Sequence, residues 1–170
     1  SAGRLLVPVS ESSTLRNTVA YAVEQAFESA GESDRAASIH FVFPLSERYT
    51  YGTEPQAADE AQSLLDRVAV WAEEDLGDNA DAVEIETALV GTEEYLFSPG
   101  DYADVLVRYA EAHSLDRAVF DPEFNPLGTT PLLPPLENEM RRASLDVEDA
   151  PVQRSRRSPL LVQRGTVAQF

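Results

Sequence analysis

The sequence predicts an α/β fold with three layers, in which an open, parallel, five-stranded sheet has helices on both faces. Short apolar or alternating runs precede longer segments whose apolar residues recur at helical spacing, the pattern of strands joined by crossover helices. Each right-handed crossover returns the chain to a parallel strand and covers one face of the sheet. The 170 residues are therefore assigned to one domain, residues 1–150, and a tail, residues 151–170.

The first two strands are predicted to be central. Residues 4–9, RLLVPV, form a nearly continuous apolar run, which is typical of a strand covered on both faces. An amphipathic helix follows, with Ser12 or Ser13 as its expected N-cap. The second strand, SIHFVF at 38–43, is again mostly apolar and precedes a second amphipathic helix. These segments make two successive strand–helix units.

The later segments complete the alternation. Residues 83–89, VEIETAL, alternate in polarity and indicate a half-exposed third strand. Ser98 followed by Pro99 is typical of a helix start, with the serine as cap and the proline in the first turn. DRAVFD at 116–121 is the fourth strand, and a leucine-striped helix separates it from SLDVED at 144–149, the alternating fifth strand.

The strand patterns also predict the order of the sheet. Continuous apolar runs belong in the centre and alternating runs at the edges, so the expected order is 3-2-1-4-5. The chain then reverses direction between strands 1 and 4, and open α/β sheets bind ligands at the carboxyl ends of the strands beside such a reversal. Ser10 follows strand 1 and Asp121 ends strand 4, so both are candidate site residues.

The composition indicates a protein adapted to high salt. Thirty acids oppose 13 bases, giving a formal charge of -17, and all the bases are arginines. Strong screening in salt relieves the repulsion within such a surface. The acidic balance argues against nucleic acid as a partner. The absence of cysteine excludes disulfides and thiolate metal sites.

No catalytic or metal site is predicted. The chain has no GxSxG, Walker or HExxH motif. His40 and His113 have no second ligand at a metal spacing in the sequence and are interpreted as structural. Carboxylate pairs such as Asp101 and Asp104 are expected from composition alone in a chain with 30 acids. The domain is therefore expected not to be an enzyme.

Several quoted segments carry a family resemblance. RLLVPVSESSTLRNTVAYAVEQA, followed by the five-strand pattern, resembles the universal stress protein family, whose fold is shared with the adenine nucleotide alpha hydrolases. The combination of RLLVPVSES, EEYLFSPGDYADVL, DPEFNP and RRSPLLVQRGTVAQF resembles the soluble amino-terminal region of the E-type subunit of halophile multisubunit (Mrp-type) monovalent cation/proton antiporters. This resemblance implies a non-catalytic domain with an assembly or regulatory role in Na⁺/H⁺ transport. Its implied partners are other antiporter subunits and the membrane-embedded part of the same chain.

The same family resemblance bears on nucleotide binding. Members that bind ATP carry a GxxG-x9-G(S/T) loop after strand 4 and usually an acidic residue after strand 1. Here a serine follows strand 1, and the loop DPEFNPLGTT has one glycine, two prolines without amide donors and two acids. No cofactor is therefore expected, and the alternative is a free-standing universal stress protein that binds ATP or a related adenine nucleotide. The candidate nucleotide or anion site would comprise Ser10, Asp121, Gly128, Thr129 and Thr130.

The two ends of the predicted domain suggest further contacts. An alternating edge strand offers unpaired backbone groups, so a homodimer through the fifth strand is expected. Residues 151–170 hold four arginines and no acid, which favours the cytoplasmic face of a membrane if this segment leads into a membrane span. The alternative for this segment is a disordered linker whose arginines are incidental.

Overall fold

The structure, a computed structural model, describes residues 3–31, 36–46, 56–126 and 132–152. Within these residues the chain forms a five-stranded parallel sheet in the order β3-β2-β1-β4-β5. This order confirms the prediction from the apolar patterns. The strands are β1 (Arg4–Pro8), β2 (Ala37–Pro44), β3 (Val83–Val90), β4 (Arg117–Phe120) and β5 (Asp146–Asp149).

Two pairs of helices cover the two faces of the sheet. The helices are α1 (Leu15–Glu28), α2 (Ala57–Leu76), α3 (Pro99–Ala112) and α4 (Leu133–Arg142), and a 3₁₀ helix, Gly77–Ala82, follows α2. The first pair packs on one face and the second pair on the other, which confirms the three layers. None of the helices in the described ranges combines the length and the apolar character that a membrane crossing requires.

The core is divided by the sheet into two apolar layers, and β1 contributes to both. Leu5 and Val7 pack against α1 and α2, while Leu6 packs against α3 and α4. All three side chains are fully buried. The edge strand β3 instead exposes Glu84 and Glu86. Central strands are thus continuous in apolar residues and edge strands alternate, because only the central strands are covered on both sides.

Helix α3 begins where the sequence predicts. The Ser98 hydroxyl accepts a hydrogen bond from the Asp101 amide at 3.2 Å, and the Asp101 carboxylate accepts one from the Ser98 amide at 3.0 Å. The Asp101 carboxylate also accepts a bond from the Phe97 amide at 2.9 Å. These backbone bonds, with that of Phe97 the strongest, lower the pKa of Asp101. The reciprocal pair is a capping box, which satisfies two amides that have no partner within the helix.

Helix α1 begins differently from the prediction. It starts at Leu15 with Thr14 in the N-cap position, and no side chain caps it. The prediction that Ser12 or Ser13 caps this helix was wrong. The reason is that both hydroxyls donate across the sheet, to Asp121 and Glu123 respectively. The start of α1 is therefore bonded to the segment after β4.

Candidate functional site

Ser10 and Asp121 lie where β1 and β4 end, at the point where the order of the sheet reverses. Ser10 is 2% exposed and Asp121 is 0% exposed. Burial of a carboxylate is costly unless hydrogen bonds replace its water. The other three predicted site residues, Gly128, Thr129 and Thr130, lie outside the described residues.

The carboxylate of Asp121 accepts hydrogen bonds from three hydroxyl groups at the start of α1. The donors are Ser12, Thr14 and Thr18, the last at 3.3 Å. The amide of Glu123 also donates to the same carboxylate at 3.2 Å. A carboxylate can accept about four such bonds, so its acceptor positions are filled. We call Asp121 and its three hydroxyl donors the hydroxyl–carboxylate cluster.

Two further bonds join the loops that follow β1 and β4. The Ser10 hydroxyl accepts a hydrogen bond from the Asn125 amide at 2.9 Å. The Ser13 hydroxyl donates to the Glu123 carboxylate, also at 2.9 Å. The candidate site residue Ser10 thus fixes the β4 loop against the end of β1.

The hydroxyl–carboxylate cluster limits which ligands can bind where the order of the sheet reverses. The amino-terminal end of a helix carries partial positive charge and attracts anions. At α1 the protein's own buried carboxylate lies beside this position and is bonded to hydroxyl groups at the start of the helix. A phosphate placed beside it would meet a fixed negative charge.

A cavity of about 920 Å³ opens beside the cluster, at the carboxyl ends of β1 and β2. Its walls include Ser10, the end of β2, the first turns of α2 and Tyr102. Among the residues that the structure describes, the charged groups that line it are Glu11, Asp59, Glu60 and Arg67. Since three of these four are acids, the cavity favours neutral or cationic groups over phosphate.

Arg67, the one arginine in the described part of this wall, already has partners. The Arg67 guanidinium lies 3.3 Å from the Glu11 carboxylate. It also lies over the ring of Trp71, at 5.7 Å from the ring centroid. Both contacts hold the guanidinium on the protein, so Arg67 offers little compensation for a phosphate in the cavity.

The two histidines come together in a cluster that the sequence analysis missed. Nδ1 of His40 shares a hydrogen bond of 2.7 Å with the Tyr109 hydroxyl. The ring of His113 stacks on Tyr109 at 4.1 Å and lies 5.0 Å from the ring of His40. Burial lowers the pKa of His40 to about 4, and the charges of His113 and Arg4 act in the same direction.

The histidine cluster is not a metal centre of the usual kind. Among the described residues, no group of three or more His, Asp or Glu side chains is placed to hold a metal ion. His40 hydrogen-bonds to the Tyr109 hydroxyl, and the ring of His113 stacks on the ring of the same tyrosine. No spacing in the sequence signals this contact, because β2 and the end of α3 meet only in the folded sheet.

Comparisons with known proteins bear on the fold. No known family and no curated protein matches the chain by sequence. Among solved structures, the universal stress protein from Archaeoglobus fulgidus aligns with a TM-score of 0.56 and 15% identity, over 89% of this chain and 100% of that one. Its complex with dAMP aligns with the same TM-score and identity, over 86% and 96%. A universal stress protein family member from Burkholderia pseudomallei has a TM-score of 0.57 and 18% identity, over 88% and 96%.

These alignments establish the class of fold. The chain has a universal stress protein-like fold, the five-stranded 3-2-1-4-5 arrangement also found in adenine nucleotide alpha hydrolases. At this level of identity they show the fold alone, because one fold supports many functions. The antiporter resemblance of the quoted segments remains a prediction from the sequence.

Proposed function

We propose that this chain is a non-catalytic domain of a multisubunit monovalent cation/proton antiporter subunit. In this role it lies at the cytoplasmic face of the cell membrane and acts in assembly or regulation of Na⁺/H⁺ transport. It needs no cofactor for this. The observation that supports a binding rather than a chemical role is the buried Asp121 carboxylate, which is bonded to the protein's own hydroxyl groups at the start of α1.

Charge supports the membrane-proximal part of the proposal. Residues 1–150 hold all 30 acids with nine arginines, a net charge of -21, whereas residues 151–170 carry +4. An acidic body is repelled by anionic lipid headgroups, while each arginine near such a surface gains about 1 kcal/mol at low salt. The domain would then stand off the membrane with its basic segment directed toward it.

The antiporter proposal is tested in the native host. Deleting the segment for residues 1–150 should lower Na⁺/H⁺ exchange, measured as dye-reported pH gradients in inverted membrane vesicles, or release subunits from the complex on native gels. The variant Thr92→Ala, in the loop after β3, is the matched control with unchanged exchange. An intact complex with unchanged exchange after the deletion would contradict the proposal, as would a native reading frame that ends at Phe170.

The second candidate is an adenine-nucleotide-binding universal stress protein. It is favoured by the cavity of about 920 Å³ beside Ser10 and by the fold neighbour whose solved complex contains dAMP. The base and ribose of a nucleotide are neutral and suit this cavity, whereas its phosphates would meet Glu11, Asp59 and Glu60. Gly128, Thr129 and Thr130 would have to supply the compensating donors.

Calorimetric titration in molar KCl separates the two candidates. Adenosine, dAMP and ATP with magnesium are titrated in turn, and the antiporter proposal expects no binding heat for ATP at millimolar concentration. If the second candidate holds, dAMP or ATP binds, and Thr129→Ala with Thr130→Ala weakens this binding while Thr92→Ala does not. Binding of ATP tighter than that of adenosine would contradict the electrostatic argument from the acidic wall.

A further inference from the structure

A second cavity, of about 420 Å³, lies between the loop after β4, the start of α4 and the end of β5. Part of its wall is apolar and is formed by Phe124, Leu132, Leu133 and Pro134. The charged residues in its wall are all acids: Glu123, Glu137 and Asp149. The cavity therefore combines a hydrocarbon surface with negative charge, and none of the described residues lining it is basic.

Glu137 is the unusual member of this wall. The residue is 7% exposed, yet its Oε2 atom has no hydrogen-bond partner in the described part of the chain. Asp149, which is exposed at the end of β5, lies in the wall of the same cavity. A buried carboxyl oxygen without a partner costs free energy that a bound donor would recover. The wall thus holds an acceptor that the protein itself does not satisfy.

The Glu137 carboxyl group favours its neutral, protonated form. Burial raises the pKa of Glu137 to about 8, and the hydrogen bond and charge of Asp149 act in the same direction. Arg141, one turn along α4, acts against this shift, but its guanidinium is directed to the Val147 carbonyl at 3.2 Å. Glu123, on the facing loop, adds a third negative charge to the cavity.

The spacing of the acids decides which cation fits. No three carboxylates in the described residues converge on a position that would hold a metal ion. An extended cation can instead place its charged end against one carboxylate pair and its carbon chain on the apolar wall. An alkylammonium ion matches both surfaces, since its three N–H donors satisfy carboxylate oxygens and its methylene groups bury apolar area.

We propose that the cavity between α4 and β5 binds a small aliphatic ammonium ion. Its ammonium group donates to Glu137 Oε2 and to Asp149, and its hydrocarbon chain packs on Phe124 and Leu133. The O–H bond of the Glu137 carboxyl group breaks and its proton passes to solvent, and the ammonium N–H group then donates to the carboxylate that remains. Binding of this class of ligand is thus linked to proton release, at a site separate from the cavity beside Ser10.

Calorimetry on the whole chain with n-butylammonium chloride tests the proposal. Binding at millimolar concentration is expected, with affinity rising up to about tenfold per pH unit from pH 6 to 8 and levelling above pH 8. Titrations at pH 7 in buffers of different ionisation enthalpy should show close to one proton released per ligand. Neutral n-butanol, which has the same carbon chain, should not bind. Absence of n-butylammonium binding, or binding without proton release, would overturn the proposal.

Substitutions locate the binding. Glu137→Gln removes the charge while keeping the shape of the side chain, and at least a tenfold loss of affinity and the disappearance of proton release are expected. Glu139→Gln, on the exposed side of the same helix, is the matched control and should bind as the unchanged protein does. In the unchanged protein, carbon NMR can follow the pH titration of the Glu137 carboxyl group. Its midpoint should move to lower pH when n-butylammonium is added. Equal binding by Glu137→Gln, or an unmoved titration, would contradict the assignment.

Discussion

At the scale of single residues, two buried titrating groups act in opposite directions on stability. The pKa of His40 is lowered to about 4 by burial, and the pKa of Glu137 is raised to about 8 by burial. The contribution of neutral His40 to the free energy of unfolding is complete above its ordinary pKa of 6.5. It is lost as pH falls toward 4. The Glu137 contribution is complete below its ordinary pKa of 4.5 and is lost as pH rises toward 8.

The histidine cluster gives the first prediction. His40→Asn keeps a hydrogen-bonding group near the Tyr109 hydroxyl but does not titrate, so the fall in unfolding free energy between pH 6.5 and 4 should be shallower. Urea unfolding followed by circular dichroism at several pH values measures this. Tyr109→Phe is the control: it should cost about 1 kcal/mol for the lost hydrogen bond while the pH dependence persists. Equal slopes for His40→Asn and the unchanged protein would disprove this role of His40.

The hydroxyl–carboxylate cluster shows why the sequence predicted where Ser10 and Asp121 lie but not which groups bond to Asp121. Ser10 and Asp121 follow strands whose order could be inferred from apolar patterns, so their positions were predictable. The partners of Asp121 come from the opposite end of the sequence, and their hydroxyls are equally suited to capping a helix. Only the distance between folded elements distinguishes a cap from a ligand of the carboxylate.

At the scale of elements, the turn that ends β3 has the strictest backbone requirement. Gly91 has φ of +78°, and a Cβ placed there would lie 2.9 Å from Cδ1 of Leu96, a fully buried side chain. The turn leads the chain from the edge strand into α3, whose capping box is already fixed by hydrogen bonds. The path from the end of β3 to the start of α3 therefore depends on two features of Gly91: its positive φ and its close approach to Leu96.

This turn gives the second prediction. Gly91→Ala should lower the unfolding free energy by about 2 to 3 kcal/mol, because it adds a steric contact to the strain of a positive φ. Gly31→Ala is the matched control, since Gly31 has φ of +89° and no atom of the described residues lies within 4 Å of the added carbon. The unfolding free energy of that variant should fall by only about 1 kcal/mol. Similar losses for both variants, measured by urea unfolding, would show that Leu96 yields without cost.

The elements themselves were the most predictable level of the fold. The sheet order followed from a simple distinction: β1 is apolar from Leu5 onward, whereas β3 and β5 alternate. The contacts between elements were not predictable in this way. Glu137 lies in the buried row of an amphipathic helix and meets Asp149 only because β5 ends beside α4. Periodicity identifies which face is buried, but not what that face meets.

At the scale of the whole molecule, the charge of -17 without lysine makes stability dependent on salt. The melting temperature should rise by at least about 5 °C between 0.1 and 2 M KCl, because screening reduces repulsion among surface carboxylates. Differential scanning calorimetry measures this change. The double variant Glu73→Gln and Glu74→Gln, at exposed positions on α2, should show a smaller rise. A melting temperature that falls with salt would contradict the halophilic interpretation.

Self-association should depend on salt for the same reason. The proposed homodimer pairs the exposed edge of β5, whose sequence DVED places acids on both copies. Light scattering should show a dimer in 2 M KCl and a monomer in 0.1 M KCl. A monomer at both concentrations would exclude dimerisation through this strand.

The strand order also determines how the chain is completed during synthesis. β1 lies in the centre of the sheet but leaves the ribosome first, and its second neighbour, β4, is made after three further helices. Arg4 bonds to the carbonyls of Ala36, His113 and Ser114, so it too must wait for the second half of the chain. Until β4 emerges, a nascent β3-β2-β1 unit exposes an apolar, unpaired strand edge. Chaperone binding to the nascent chain should therefore be greatest after β3 has emerged and fall when β4 pairs with β1.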